Sequence, residues 1–459
     1  MIDRVLVSID THRDASLEGL KAFLRIPSVS THPPHKPDVL RCAEFVAAEM
    51  RRIGLRQVEV TPTTGHPIVY GEWLDAPGKP TVLMYGHYDV QPPEPLDLWD
   101  SGPFDPTVRG DNLYARGATD DKGQVWLHLK ALDAHLTQTG RLPVNVKLLI
   151  EGEEEIGSPH LDAYVRANQD RLRADVVLIS DTTMFDYDQP SICYGLRGLV
   201  YMEIEVQGPS KDLHSGGFGG SVANPVQALA EILTALKDPD GRITIPGFYD
   251  DVQPLTPEER AALAALPFDE DAYRTRLGVS ALAGETGYST LERIWARPTL
   301  EVNGILGGFT GEGSKTIIPS RGMAKVSMRL VPDQTPDRIA ALFEEHVTRL
   351  APPTVTVTVK RHSSGKPVLT PTDQSAVQAA AHALERGFGK KPVFIREGGS
   401  IPVVATFREV LGLPTVLMGF GLPDCDAHAP NEKFNLKNFY RGMVSAAWFY
   451  EELGKSSDK

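Results

Sequence analysis

At 459 residues the chain is longer than one hydrophobic core ordinarily serves, so two domains are expected. Its 47 basic and 60 acidic residues leave a formal charge of −13, and no stretch reaches the ~20 apolar residues of a membrane span, which argues against nucleic-acid and membrane partners. Cys42, Cys193 and Cys425 are odd in number and far apart, and the N-terminus lacks a basic-then-apolar leader, so reduced thiols and a cytoplasmic location are expected.

Residues 13 to 25 carry Leu17, Leu20, Phe23 and Leu24 on one helical face. A His/Pro-rich loop containing His32 and His35 leads to a second helix over 39–53. Apolar runs at 82–85, 144–150 and 176–179 then alternate with helical stretches at 122–136 and 161–167. That alternation predicts an α/β layer with a largely parallel sheet. Past Cys193, residues 200 to 206 alternate apolar and polar, the pattern of a strand with one wet face. Asn224 and Pro225 then mark a helix start, and that helix runs to Leu236. Strands at 299–303 and 324–331, a helix at 336–350 and an alternating strand at 354–360 complete a β-α-β-β-α-β order, which is ferredoxin-like. A long, largely helical insertion at 238–298 interrupts it. From Thr370 the first texture returns, with helices at 373–386 and up to Leu411, an apolar strand at 415–420 and a terminal helix at 436–453. The expected architecture is an α/β catalytic domain, residues 1–192 and 366–459, with a ferredoxin-like α+β lid, residues 193–365, inserted in it.

Four strands of the outer domain are followed at once by His, Asp or Glu. The run ending at Tyr85 leads into His87 and Asp89, which share a side of an extended chain because side chains alternate with period two. The run to Ile150 leads into Glu151, Glu153, Glu154 and Glu155; the run to Ser180 into Asp181; the run from Thr415 towards His428. Asp120 opens the helix after the first of these strands. Ligands of open α/β sheets bind beyond the carboxyl ends of the strands, so these groups converge on one rim. Taken singly, each has a plainer explanation: a solvated charge run for the glutamates, a helix cap for Asp120, a turn residue for Asp181, a loop histidine for His428. Taken together they form a carboxylate cluster that needs divalent cations to be tolerable. Two histidines with three or more carboxylates suit a zinc-like pair, a recurrent device for hydrolysis, with one further carboxylate as general base.

The blocks Gly86-His87-Tyr88-Asp89-Val90, Arg116-Gly117-Ala118-Thr119-Asp120-Asp121-Lys122-Gly123, Glu151-Gly152-Glu153-Glu154-Glu155-Ile156-Gly157-Ser158, Ile179-Ser180-Asp181 and Ala427-His428-Ala429-Pro430-Asn431-Glu432 resemble those of the M20 metallopeptidases. The carnosinase-like dipeptidase branch matches best, over nearly the whole chain. The resemblance implies one metal on His87, Asp120 and Asp181 and another on Asp120, Glu155 and His428, with Asp120 bridging. It makes Glu154 the general base, Asp89 a partner that touches only the His87 imidazole, Glu153 an extra residue, and the Asp120–Asp121 peptide cis. Two divalent ions are implied, zinc foremost, with manganese or cobalt as alternatives.

In the lid, His214 resembles a histidine that stabilises the oxyanion in a neighbouring subunit, which implies a homodimer; by itself it reads as a cap on a Gly-rich turn. Arg329 matches an arginine that pairs with a substrate C-terminal carboxylate, as its bidentate fork suits; the alternative is a salt bridge on the sheet surface. Asn303 stands where a polar substrate contact is expected, though the carnosinase-like pattern more often has His there. Gly399 and Ser400 precede a helix and could offer amides to an anion. The implied activity is hydrolysis of dipeptides or short peptides with a free C-terminal carboxylate. The alternative is deacylation of N-acyl or N-carbamoyl amino acids on the same metal centre.

Overall fold

An unbroken apolar run is stable in water only when both its faces are covered. Val82, Leu83, Met84 and Tyr85 are each at most 1% exposed, and burying such side chains contributes about 1.5–3 kcal/mol apiece. The computed structural model describes residues 2–399 and 401–455. It divides into two compact units: Met1–Tyr194, Thr370–Ile395 and Pro402–Lys459 form the first, Gly195–Leu369 and Arg396–Ile401 the second.

Six strands of the first unit's sheet lie side by side in the order Arg56–Thr61, Ile68–Trp73, Asn145–Glu151, Thr81–His87, Val176–Ile179, Thr415–Leu417. The last four of these six are mutually parallel and Ile68–Trp73 joins them antiparallel. The parallel part was legible in the sequence; the hairpin Arg56–Thr61/Ile68–Trp73 was not, because its first strand is largely exposed and only Val58 and Val60 mark an apolar face. The terminal helix Leu436–Lys455 packs on Ser375–Phe388 and on Lys122–Thr139, which joins the end of the chain to its first half. A helix over Ile2–Thr11, unanticipated in the sequence, buries Val5 and Ile9 and packs on Lys122–Thr139 and Leu436–Lys455. The strand expected to reach residue 420 ends at Leu417, although Met418 and Phe420 remain buried.

In the second unit, four antiparallel strands lie in the order Thr299–Gly307, Arg321–Leu330, Gly198–Gln207, Thr356–Gly365, a ferredoxin-like sheet. Val200, Met202, Ile204 and Val206 pack beneath the helices Pro225–Ala235 and Pro336–Leu350. Asn224 caps the first of these, its side-chain oxygen accepting the Val226 N–H at 3.0 Å. The insertion contributes the short helices Pro257–Ala264, Glu270–Leu277 and Thr290–Trp295. Among the described residues, no helix is long and apolar enough to cross a membrane.

Candidate metal centre

Each candidate donor of the first unit sits where a buried element ends. His87 is the last residue of Thr81–His87, and Asp181 lies just past Val176–Ile179. Glu154 and Glu155 open a single 3-10 turn, Glu154–Ile156, directly after Asn145–Glu151. Asp120 precedes the helix Lys122–Thr139, and its peptide to Asp121 is cis, as the resemblance implies. His428 lies on the loop after Thr415–Leu417 at φ +63°, a left-handed conformation that non-glycine residues rarely adopt outside constrained sites. Gly86 is required by close approach: a Cβ there would stand 2.7 Å from Asp121 Oδ2 and 2.5 Å from Val125 Cγ2. That approach lets Asp121 accept the His87 backbone N–H at 3.2 Å.

Asp120 stands between the two histidines, and each of its oxygens faces a different one. Oδ1 is 3.0 Å from His87 Nε2, and Oδ2 is 2.9 Å from His428 Nε2. Asp181 Oδ2 lies 3.7 Å from His87 Nε2, and Glu155 Oε2 lies 3.2 Å from His428 Nε2. Two donor groups result, His87/Asp120/Asp181 and Asp120/Glu155/His428, with the ligand atoms of each within 4.8 Å of one another. Imidazole nitrogen and carboxylate oxygen with no thiolate is a donor set that fits borderline or hard divalent ions.

The electrostatics also fit cations. Burial, and then the charge of neighbouring Asp120, pushes the Asp181 carboxyl up, and the same causes take Glu155 to about 7. Burial holds Glu154 well above the usual carboxylate range. Hydrogen bonds donated to Asp120 and Glu155 raise His428 to about 10, and at His87 the carboxylates of Asp120 and Asp181 outweigh burial and raise it too. In the metal-free protein the imidazoles therefore hold protons that ligation must displace. Loading with zinc near pH 7 is expected to release protons into a weakly buffered solution. The sign for stability follows. His428 stabilises the metal-free fold fully below its unfolded value of about 6.5, and that contribution is lost as pH rises through about 10. Glu155, shifted up from 4.5 to about 7, costs stability progressively across that lower window. The Tm gap between loaded and metal-free protein is thus expected to widen from pH 6 to pH 9; a constant gap would contradict this titration.

The supporting contacts correct two expectations. Asp89 does not touch the imidazole alone. It lies 3.4 Å from His87 Nδ1, but its two oxygens also accept the backbone N–H groups of Glu154 and Glu155, both at 3.2 Å. The His87 ring itself bonds the Asp89 carbonyl at 3.1 Å. Glu153 is no solvated spare: it is 3% exposed, accepts the His66 N–H and lies 2.7 Å from His160 Nδ1. Gln91, which sequence reasoning passed over, donates to Glu155 Oε2 at 2.7 Å. All three cysteines are buried.

The remaining predicted residues lie in the second unit. His214 is exposed, and its Nδ1 accepts the amides of Gly216 and Gly217 at 3.0 and 3.2 Å, so the turn-capping contact exists. Arg329 is half-buried, in register with Thr299 and Leu199 on neighbouring strands. Asn303 is exposed at a bulge, where the pairing of Val302 with Val326 passes directly to that of Gly304 with Lys325. Gly399 is exposed, and Ser400 lies outside the described residues.

Residues 83–451 match the model of peptidase family M20/M25/M40. A Cys-Gly metallodipeptidase of Schizosaccharomyces pombe is 36% identical over 99% of both chains. Human carnosine dipeptidase 1 superposes with a TM-score of 0.84 at 33% identity, covering 99% of this chain and 98% of that one. An M20 family metallo-carboxypeptidase from Sulfolobus solfataricus gives a TM-score of 0.86 at 35% identity, covering 96% and 99%.

Proposed function

The chain belongs to peptidase family M20/M25/M40, and from that membership we propose that it is a two-metal dipeptidase acting on short peptides with a free C-terminal carboxylate. The observation that carries the reading is Asp120, one oxygen on each histidine. His87 and Asp181 would hold one ion with it, Glu155 and His428 the other. Such ions supply acidification of water and polarisation of the peptide carbonyl. Zinc is the expected metal, and manganese or cobalt would suit the same donors.

Glu154 is the general base. Burial raises its proton affinity towards the range in which a carboxylate can both take a proton and return it to a leaving amine. Asp89 positions it by holding the Glu154 amide. His214, with Nδ1 occupied by two amides, carries its proton on Nε2, a donor suited to an oxyanion. It acts in a partner subunit, and the protein is a homodimer through the unit that contains it. Arg329 pairs with the substrate carboxylate, with Asn303, Gly399 and Ser400 as further contacts. Residues 1–192 and 366–459 serve as the catalytic domain and 193–365 as the lid.

Dipeptides, end-blocked peptides and N-acyl amino acids assayed with zinc, manganese and cobalt test the substrate class. Free dipeptides are expected to be the best substrates, and preference for N-acyl amino acids would overturn the reading. Replacing Arg329 by Ala is expected to raise KM about 10- to 100-fold for free-carboxylate substrates, the worth of a charge-assisted hydrogen bond. Equal effects on amidated peptides would remove that role.

A further inference from the structure

One buried carboxylate beside the metal centre has no part in the reaction above. Glu432 is 0% exposed, and both of its oxygens are fully engaged. Oε2 accepts from Arg116 Nη1 at 2.9 Å and from the Gly117 N–H at 2.8 Å. Oε1 accepts the Thr119 N–H at 2.9 Å and the Asp120 N–H at 3.1 Å. The Glu432 carbonyl accepts the Ala115 N–H at 3.1 Å, so most of the loop leading to Asp120 is stitched to this one residue. Arg116 is itself 1% exposed and also reaches the Pro92 carbonyl at 3.2 Å.

The other side of the clamp is the His428 loop. Glu432 follows His428 by four residues, through Asn431 at φ +63°. The Asn431 side chain is fixed at both ends, accepting the Asp100 N–H at 3.0 Å and donating to the Leu98 carbonyl at 2.9 Å. Glu432 therefore ties the backbone of the central aspartate to the loop of a histidine that this aspartate faces.

Stability alone is a weak reason for such an arrangement, because apolar residues of similar volume often replace a buried ion pair without loss. Apolar residues cannot, however, aim three backbone amides of one turn at a single point. That aim orients the Asp120 backbone, and small displacements there would separate its oxygens from their two histidines. We propose that Glu432, seated by Arg116, is a positioning residue for the two-metal site, setting Asp120 and His428 in register. The proposal rests on the two-metal reading of Asp120.

Glu432→Gln is the test. The variant keeps the shape but turns an NH2 towards donors, so one pair of contacts is broken. Chelator competition is expected to show zinc affinity lowered about 10- to 100-fold, the usual loss when a group orienting a ligand is removed. Amide hydrogen exchange at Thr119 and Asp120 in the metal-free protein is expected to quicken. Glu292→Gln, which removes a buried partner of Arg260 in the second unit, serves as control: it should lower Tm and leave zinc affinity unchanged. If Glu432→Gln does not fold, Arg116→Lys, which keeps the charge and loses the fork, should give the same shifts at smaller size. A folded variant with wild-type affinity for both ions, beside a wild type that binds two, overturns the positioning role. A wild type that binds fewer than two ions per chain overturns the two-metal reading, and the proposal falls with it.

Discussion

Glu154→Gln is expected to lower kcat by about 10²- to 10⁴-fold, the range for removal of a general base, while metal content stays unchanged. The two donor groups, His87/Asp120/Asp181 and Asp120/Glu155/His428, do not include Glu154, so its loss should leave both intact. The substitution is isosteric and spares the backbone N–H that Asp89 accepts. What it removes is a carboxylate whose proton affinity burial has raised, the property that suits it to shuttle a proton between water and a leaving amine. Metal per chain by mass spectrometry and kcat on one dipeptide give the answer together. Turnover retained with full metal content would reject Glu154 as the base, and loss of metal would mean that it is a ligand.

Asp120→Ala is expected to be more drastic, because one side chain belongs to both groups. Removing Asp181 or Glu155 takes a donor from one group, whereas removing Asp120 takes one from each. Both ions should be lost and activity with them. The rise in stability on adding metal, about 2.7 kcal/mol at a hundredfold excess over Kd, should disappear from thermal melts of the variant. The same substitution withdraws the leading cause of the raised His428 pKa, so that imidazole should titrate lower in the metal-free variant. A variant that still binds one ion tightly would show that Asp120 does not bridge.

How far the site could be read in advance depended on the range of the interactions involved. The placement of His87, Asp181 and Glu155 was legible because His87 closes a buried strand and the other two follow one within a few residues, a local property of the chain. The helix Ile2–Thr11 left a usable signal in Val5 and Ile9 at helical spacing, obscured by Leu6 and Val7, which extend the apolar run between them. Asn303 could be assigned to a strand, but its place at a bulge depends on the register with Arg321–Leu330. Glu153 looked like surface charge because its partners, His66 and His160, are supplied by segments that no local pattern connects to it.

The order of residues therefore determined which side chains could act as donors, since strand ends and helix starts follow from nearby apolar spacing. It also determined the α/β and ferredoxin-like character of the two units, since periodicity selects the element. Only the tertiary structure decided that each oxygen of Asp120 meets its own histidine and that Asp89 holds the amides of two glutamates. These are matters of a few tenths of an ångström between segments far apart in the chain. Glu432 and the Asp120 amide it accepts are 312 residues apart, and only packing brings them together.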